Sequence, residues 1–84
     1  MATTQFLEYR LTLSRDSETG QVVALIPTLD IGDYGADSEE ALRRLQEMAS
    51  FHLECLIAEG KEVPDEAHHG EGLYLRVRLP VRAA

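Results

Sequence analysis

Residues 26–42, IPTLDIGDYGADSEEAL, constrain the fold most strongly because they join the end of one strand to the start of a long helix. Pro27 breaks the first strand, and the short glycine-containing run after it predicts another strand at a sheet edge. Asp37 predicts the start of the helix, since its carboxylate can accept hydrogen bonds from the first free backbone N–H groups. Glu40, three residues later, completes the pattern of a capping box.

The spacing of apolar residues separates this helix from the strands. Residues 38–59 repeat with the helical period of about 3.6, and Gly60 is the expected stop. Residues 7–13 and 73–81 alternate apolar and polar positions, and residues 21–26 are nearly all apolar, as in strands. The predicted core stripe of the helix comprises Leu42, Leu45, Ala49, Leu53 and Leu56, widened by Ala41, Met48, Cys55 and Ile57.

The element order β-β-β-α-β predicts an α+β fold in which one long helix packs on one face of a three- to four-stranded mixed sheet. Residues 1–84 form one domain without a linker or repeat. A strand–helix–strand connection is normally right-handed, so we expect the last strand to lie parallel to one of the first three. Pairing with the first strand would place Glu8 and Arg10 near Arg76 and Arg78 on the uncovered face.

Charge is unevenly distributed along the chain, whose net charge is −7. Residues 1–72 carry all 15 acidic residues and five basic ones, a local net charge of −10. An acidic body argues against non-specific nucleic-acid binding and suits a basic protein partner or simple solvation. The single cysteine, Cys55, and the absence of an apolar membrane-length run or a signal-like start predict a cytoplasmic protein. A chain of this size gains from self-association.

Several local motifs resemble the HicB antitoxin family. The matching pieces are the strand ending in Ile26-Pro27-x-Leu29, the short strand with Gly35, the helix entry DSEEA at residues 37–41, and the exit EGKEVP at residues 59–64. The resemblance covers about residues 5–80, and it implies a partial ribonuclease H-like fold. The family commonly has a Pro-Gly-Cys element where this chain has Asp-Ile-Gly at residues 30–32, one residue shorter.

The resemblance also implies a partner. HicB domains bind and block a small basic HicA ribonuclease toxin, and many continue into a C-terminal DNA-binding domain. This chain ends at Ala84, so we expect a stand-alone domain without that extension. The resemblance thus predicts a non-catalytic antitoxin-like module that occludes a toxin and also forms a homodimer or tetramer.

Carboxylates do not form an evident catalytic set, although ribonuclease H chemistry needs several of them around divalent metal ions. Glu8 is the single acid within the first strand, and Asp30, Asp33 and Asp37 fall in predicted turns and caps. We therefore predict that the chain is not an enzyme and needs no cofactor. Metal-dependent cleavage of RNA is the least favoured of the candidate functions.

The histidines and Cys55 offer weak candidates for metal chemistry. His68 and His69 lie beside acids in a polar stretch and could ligate a transition metal, although adjacent histidines in a polar loop are usually just solvated, which is the favoured interpretation. His52 falls at the margin of the apolar stripe, where packing explains it. Cys55 has no activating neighbour in its helix turn, which indicates a structural thiol. An oligomeric domain that binds a small ligand or metal is thus the alternative function.

Exposed interface candidates are found on the helix, on the third strand and on the last strand. Phe51 lies opposite the core stripe among charged residues, as an interface anchor or as a lone exposed ring. The third strand adds Asp30, Asp33 and Tyr34 to the predicted interface. Arg76 and Arg78 resemble the base-reading strand of a ribbon-helix-helix protein, but pairing with Glu8 on a solvated face is the favoured interpretation.

Overall fold

The computed structural model describes residues 5–66 and 71–79. Three strands come first: β1 (Gln5–Arg15), β2 (Val22–Ile26) and β3 (Ile31–Gly35), with a 3-10 turn, Pro27–Leu29, between β2 and β3. One helix, α1 (Ser38–Ala58), follows, and then β4 (Leu73–Leu79). The four strands form one sheet in the order β3-β2-β1-β4. The predicted α+β class and the β-β-β-α-β order are confirmed.

The helix begins and ends as its sequence predicts. Asp37 Oδ1 accepts a hydrogen bond from the Glu40 N–H at 2.8 Å, and Glu40 Oε1 accepts one from the Ala36 N–H at 3.0 Å. Gly60 has φ 71°, and the Lys61 N–H donates to the carbonyl oxygen of Leu56 at 2.9 Å. These bonds satisfy backbone groups that every helix end leaves without an intrahelical partner.

The mixed sheet predicted from the sequence is wrong, because β4 runs antiparallel to β1, Gln5 opposite Leu79 and Leu11 opposite Leu73. The predicted neighbour is correct, and the direction is reversed. A parallel last strand requires the helix alone to return the chain to the starting end of the sheet. Here the segment after Gly60 takes the chain back along the sheet a second time, so β4 starts at the opposite end.

The returning segment is held against β1. Tyr9 is fully buried, and its Oη donates to the carbonyl oxygen of Pro64 at 2.6 Å. Glu66 Oε1 accepts from the Arg10 N–H at 2.9 Å and from Thr28 Oγ1. β1 pairs with β4 along residues 5–11 and with β2 along residues 12–15. Residues 64–66 therefore lie beside the part of β1 that β2 does not reach.

The core lies between α1 and one face of the sheet. Alternation along the strands directs every second side chain toward the helix, and the helix contributes small and large apolar residues in turn. The fully buried core residues of α1 are Ala41, Leu45, Ala49 and Leu53. Gly35 lies where the helix begins: a Cβ there would be 2.6 Å from the backbone nitrogen of Ala41. The helix N-terminus can therefore approach β3 closely.

Candidate partner-binding surfaces

Three of the six interface residues predicted from the sequence lie on β3 or on the turn that begins it, and a fourth, Phe51, lies on α1. The structure adds two helix residues to them. We call this set the β3-side surface; it consists of Asp30, Asp33, Tyr34, Arg44, Met48 and Phe51.

Asp30 stands at the turn that begins β3. Its backbone has φ 55°, in the left-handed region, and its N–H donates to the carbonyl oxygen of Pro27 at 3.0 Å. Aspartate tolerates this conformation better than most residues. The turn is therefore closed by backbone hydrogen bonding, and the Asp30 side chain remains exposed.

Side chains cover the backbone edge of β3 at Tyr34. Asp33 Oδ1 accepts from the Tyr34 N–H at 2.8 Å, and Arg44 Nη1 donates to the Tyr34 carbonyl oxygen at 3.4 Å. Both backbone groups of Tyr34 are therefore occupied, while its side chain is 51% exposed. Arg44 also lies 3.7 Å from Glu40 in an ion pair that holds it on this side of the helix.

The same flank of α1 carries two exposed apolar side chains. Arg44, Met48 and Phe51 are spaced i, i+4 and i+7, which places them on one stripe of the helix. Phe51 is 65% exposed, which confirms its predicted position outside the core. Met48 was expected to widen the core stripe and instead is 36% exposed at its margin. The i, i+4, i+7 spacing is the sequence signal that could have grouped these residues.

A shallow groove adjoins this surface at the turn between β2 and β3. Its volume is about 380 Å³, and it is lined by Leu25, Ile26, Pro27, Asp30, Ile31 and Gly32. The Leu25 side chain lies over Gly32, its partner in the ladder, so a Cβ at position 32 would collide with it. The lining is mainly apolar and includes one carboxylate.

Arg76 and Arg78 lie on β4, at the other edge of the sheet, and β2 and β1 lie between β4 and β3. The structure does not bring them together with the rest of the predicted interface. The guanidinium carbon of Arg76 lies 4.2 Å from the centre of the Phe6 ring. Glu8 is directly opposite Arg76 in the ladder, yet these two side chains make no ion pair within 4.0 Å. The predicted Glu8 pairing is replaced by stacking on Phe6, which the sequence analysis had not selected.

The remaining polar candidates have structural roles or lie elsewhere. Asp33 and Asp37 each accept a backbone N–H, and His52 and Cys55 are half-buried on the helix. Within residues 5–66 and 71–79, no group of three or more His, Cys, Asp or Glu side chains is placed to hold a metal ion. His68 and His69 lie outside the described residues. In the same described ranges, α1 does not have the length and apolar character needed to cross a membrane.

Comparison of the chain with protein-family models, curated proteins and solved structures found no match. The β3-side surface combines an exposed phenylalanine ring, a flexible methionine and the carboxylates of β3, residue types that are found in protein interfaces. The β4 side offers guanidinium groups instead, so the two sides of the sheet suit partners of opposite charge.

Proposed function

We propose that this chain is a non-catalytic, antitoxin-like protein-binding domain that neutralises a small basic HicA-type ribonuclease by occluding its active site. The observation that carries the proposal is the β3-side surface, where Met48 and Phe51 are exposed on the same stripe of α1 as Arg44, which bonds to the edge of β3. The resemblance of residues 5–80 to HicB domains supplies the kind of partner.

Electrostatics support this choice of surface. The outward part of α1 adds Glu39, Glu47 and Glu54 to the acids of β3. A basic protein would be steered toward this side and away from Arg76 and Arg78. An exposed phenylalanine surrounded by polar groups is the kind of anchor that carries most of the energy of a protein interface.

The test combines capture with inhibition. The tagged chain is used to capture partners from an extract of the native organism, and any stoichiometric small basic protein is identified by mass spectrometry and assayed for cleavage of RNA. We expect the added chain to suppress that cleavage at one-to-one stoichiometry. Phe51→Ala should weaken binding by about 2 kcal/mol, roughly thirtyfold.

Phe6→Ala is the matched control, because Phe6 is also an exposed ring, 44% accessible, but lies on the β1–β4 side. The proposal predicts that Phe6→Ala inhibits as well as the unaltered chain. Equal loss in both variants, or a captured protein without ribonuclease activity, contradicts it.

The groove at residues 25–32 favours a second candidate, a stand-alone oligomeric domain that binds a small ligand. Its volume of about 380 Å³ lies within the range of small-molecule sites. Native mass spectrometry of protein purified from its own organism would reveal a bound molecule. Under this candidate Leu25→Ser abolishes the bound mass, whereas Phe51→Ala leaves it in place.

A further inference from the structure

The sheet face opposite α1 has an uncharged half on β3, β2 and the adjoining end of β1. Ala24 and Ile26 are fully buried in the core, so alternation directs Val23 and Leu25 away from the helix. Cross-strand partners share a face, and the registers of β1 with β2 and of β2 with β3 therefore bring six residues together there. We call this set the sheet-face patch; it consists of Thr12, Ser14, Val23, Leu25, Gly32 and Tyr34.

The apolar side chains of the sheet-face patch are open to water. Leu25 is 43% exposed and Tyr34 is 51% exposed. The Leu25 side chain lies over Gly32, and this part of the face stays flat because glycine has no side chain to raise it. The solvent-facing side of an antiparallel sheet is normally polar. A flat apolar area in that position indicates contact with another protein.

Electrostatics select a second copy of the chain as the occupant of this patch. Each chain has a net charge of −7, so two copies repel one another unless they meet where carboxylates are few. Around Phe51 the helix exposes Glu47 and Glu54, which suits a basic protein and opposes a second copy. The six residues of the sheet-face patch include no acid, so two patches can meet without bringing carboxylates together.

We propose that two copies of this chain pack patch against patch as stacked sheets about 10 Å apart, related by a two-fold axis parallel to β2. This axis places β2 over β2 and β3 over β1 of the partner subunit, because β2 lies between β3 and β1. Leu25 then packs on Leu25 of the partner subunit. Tyr34 lies over β1 of the partner subunit, where the small side chains of Thr12 and Ser14 leave room for its ring.

Charges at the rim favour this orientation. β4 lies outside the overlap of the two patches and next to β3 of the partner subunit. Arg76 and Arg78 are exposed on the uncovered face of β4, and Asp30 of the partner subunit is exposed at the turn that begins its β3. Opposite charges therefore meet at the rim. An axis perpendicular to the strands would place β4 over β4 and leave the acidic edge of the partner subunit on the far side.

The dimer goes beyond the proposed function and does not depend on it. Met48 and Phe51 lie on α1, on the other side of the sheet, and stay outside the contact between the two patches. A variant that separates the copies therefore need not affect capture of a basic partner, and the two proposals can fail separately.

The test compares two leucine-to-glutamate variants of the full chain by sedimentation equilibrium. The unaltered chain should form a reversible dimer. Leu25→Glu should raise the dissociation constant of the dimer roughly a hundredfold, since it places two carboxylates against each other in an apolar contact. Leu73→Glu is the matched control, because Leu73 is 54% exposed but points to the helix side of the sheet, and it should leave the dimer unchanged. A monomer at every concentration, or equal weakening by both variants, would overturn the proposal.

Tryptophan fluorescence locates the contact without disrupting it, because the chain has no tryptophan of its own. The emission of Tyr34→Trp should move to shorter wavelength as the protein concentration rises through the dimerisation range, since its ring leaves water. The emission of Phe51→Trp should stay constant over the same range. A shift in Phe51→Trp, or none in Tyr34→Trp, would overturn the patch-to-patch contact. Circular dichroism confirms that each variant is folded, and the tryptophan pair still decides the question if Leu25→Glu does not fold.

Discussion

The two edge strands of the sheet, β3 and β4, each accept one hydrogen bond from a side chain of α1. At β3, Arg44 donates to the Tyr34 carbonyl oxygen and Asp33 accepts from the Tyr34 N–H, so both backbone groups of that residue have side-chain partners. At β4, Gln46 donates to the Arg76 carbonyl oxygen. Side chains that bond to a strand edge discourage its pairing with other strands. The comparison shows that one helix can reach both edges of a four-stranded sheet because its polar side chains extend from opposite sides of its core-facing stripe.

The two edges also differ in charge. Asp30 and Asp33 lie at β3, whereas Arg76 and Arg78 lie on β4. A basic partner, as proposed above, is therefore expected to approach the β3 side.

The largest expected effect comes from separating α1 from β3. Gly35→Val places a branched side chain where a Cβ is already 2.6 Å from the Ala41 nitrogen and 2.8 Å from Glu40 Cβ. We expect a loss of about 2–3 kcal/mol in the free energy of unfolding, measured with urea. Gly20→Val is the control for space, because no atom lies within 4 Å of a Cβ there, although its φ of 75° still carries a cost. A smaller loss at Gly35 than at Gly20 would mean that the close approach is unimportant.

Removing the hydrogen bond that holds residues 61–66 against β1 should have the next largest effect on stability. Tyr9→Phe removes the bond to the Pro64 carbonyl oxygen, and we expect the protein to lose about 1.5 kcal/mol of stability at neutral pH. Hydrogen–deuterium exchange should increase in residues 61–66 if the segment is released. Unchanged exchange there would show that other contacts hold it.

Tyr9 also predicts a dependence on alkaline pH. Burial raises the pKa of the Tyr9 hydroxyl above its ordinary 10.0, helped by the negative charges of Asp65 and Glu66. Well below pH 10.0 the hydroxyl is neutral in both the folded and the unfolded state, so its contribution to stability is constant there. As the pH rises from there through the raised pKa, the unfolded chain ionises first and stability falls. Urea unfolding at about pH 9 and about pH 11 should show a smaller decline for Tyr9→Phe than for the unaltered chain.

Removing the side chains that bond to the edge of β3 should allow that edge to pair with another strand. The double variant Asp33→Ala, Arg44→Ala frees both backbone groups of Tyr34, and we expect a loss of about 1 kcal/mol in stability. The more informative result is sedimentation, where new concentration-dependent species should form. Arg43→Ala is the matched control, since Arg43 pairs with Glu47 at 3.8 Å on the exposed helix surface and does not contact β3. Identical sedimentation of the double variant and the control would refute edge protection.

The smallest expected effect concerns the stacking of Arg76 on Phe6. A double-mutant cycle with Phe6→Ala and Arg76→Ala should give a coupling of about 0.5 kcal/mol, because the pair is partly exposed to water. Glu8→Ala together with Arg76→Ala is the comparison pair. A larger coupling energy between Glu8 and Arg76 would instead support the ion pair that the sequence had indicated.

Sequence patterns identified the elements of this fold well because each of those patterns is local. The Asp37 cap, the stop at Gly60 and the alternation along β1 and β4 depend on neighbours within a few residues. The exposure of Phe51 followed from the helical period alone. Met48 was misplaced because it lies at the edge of the apolar stripe, where the period cannot tell whether the sheet still covers the helix.

The direction of β4 and the composition of the two edges were decided by tertiary structure. A twelve-residue connection at residues 61–72 permits either direction, and the contacts of Tyr9 and Glu66 with distant residues selected the antiparallel one. The bond from Arg44 to Tyr34 likewise joins the helix to a strand edge across the packed interface. The sequence by itself determined where each element starts and stops, and which side of each element is apolar. Which backbone edge the helix closes depends on how those elements pack, since that is a property of distances between segments far apart in the chain.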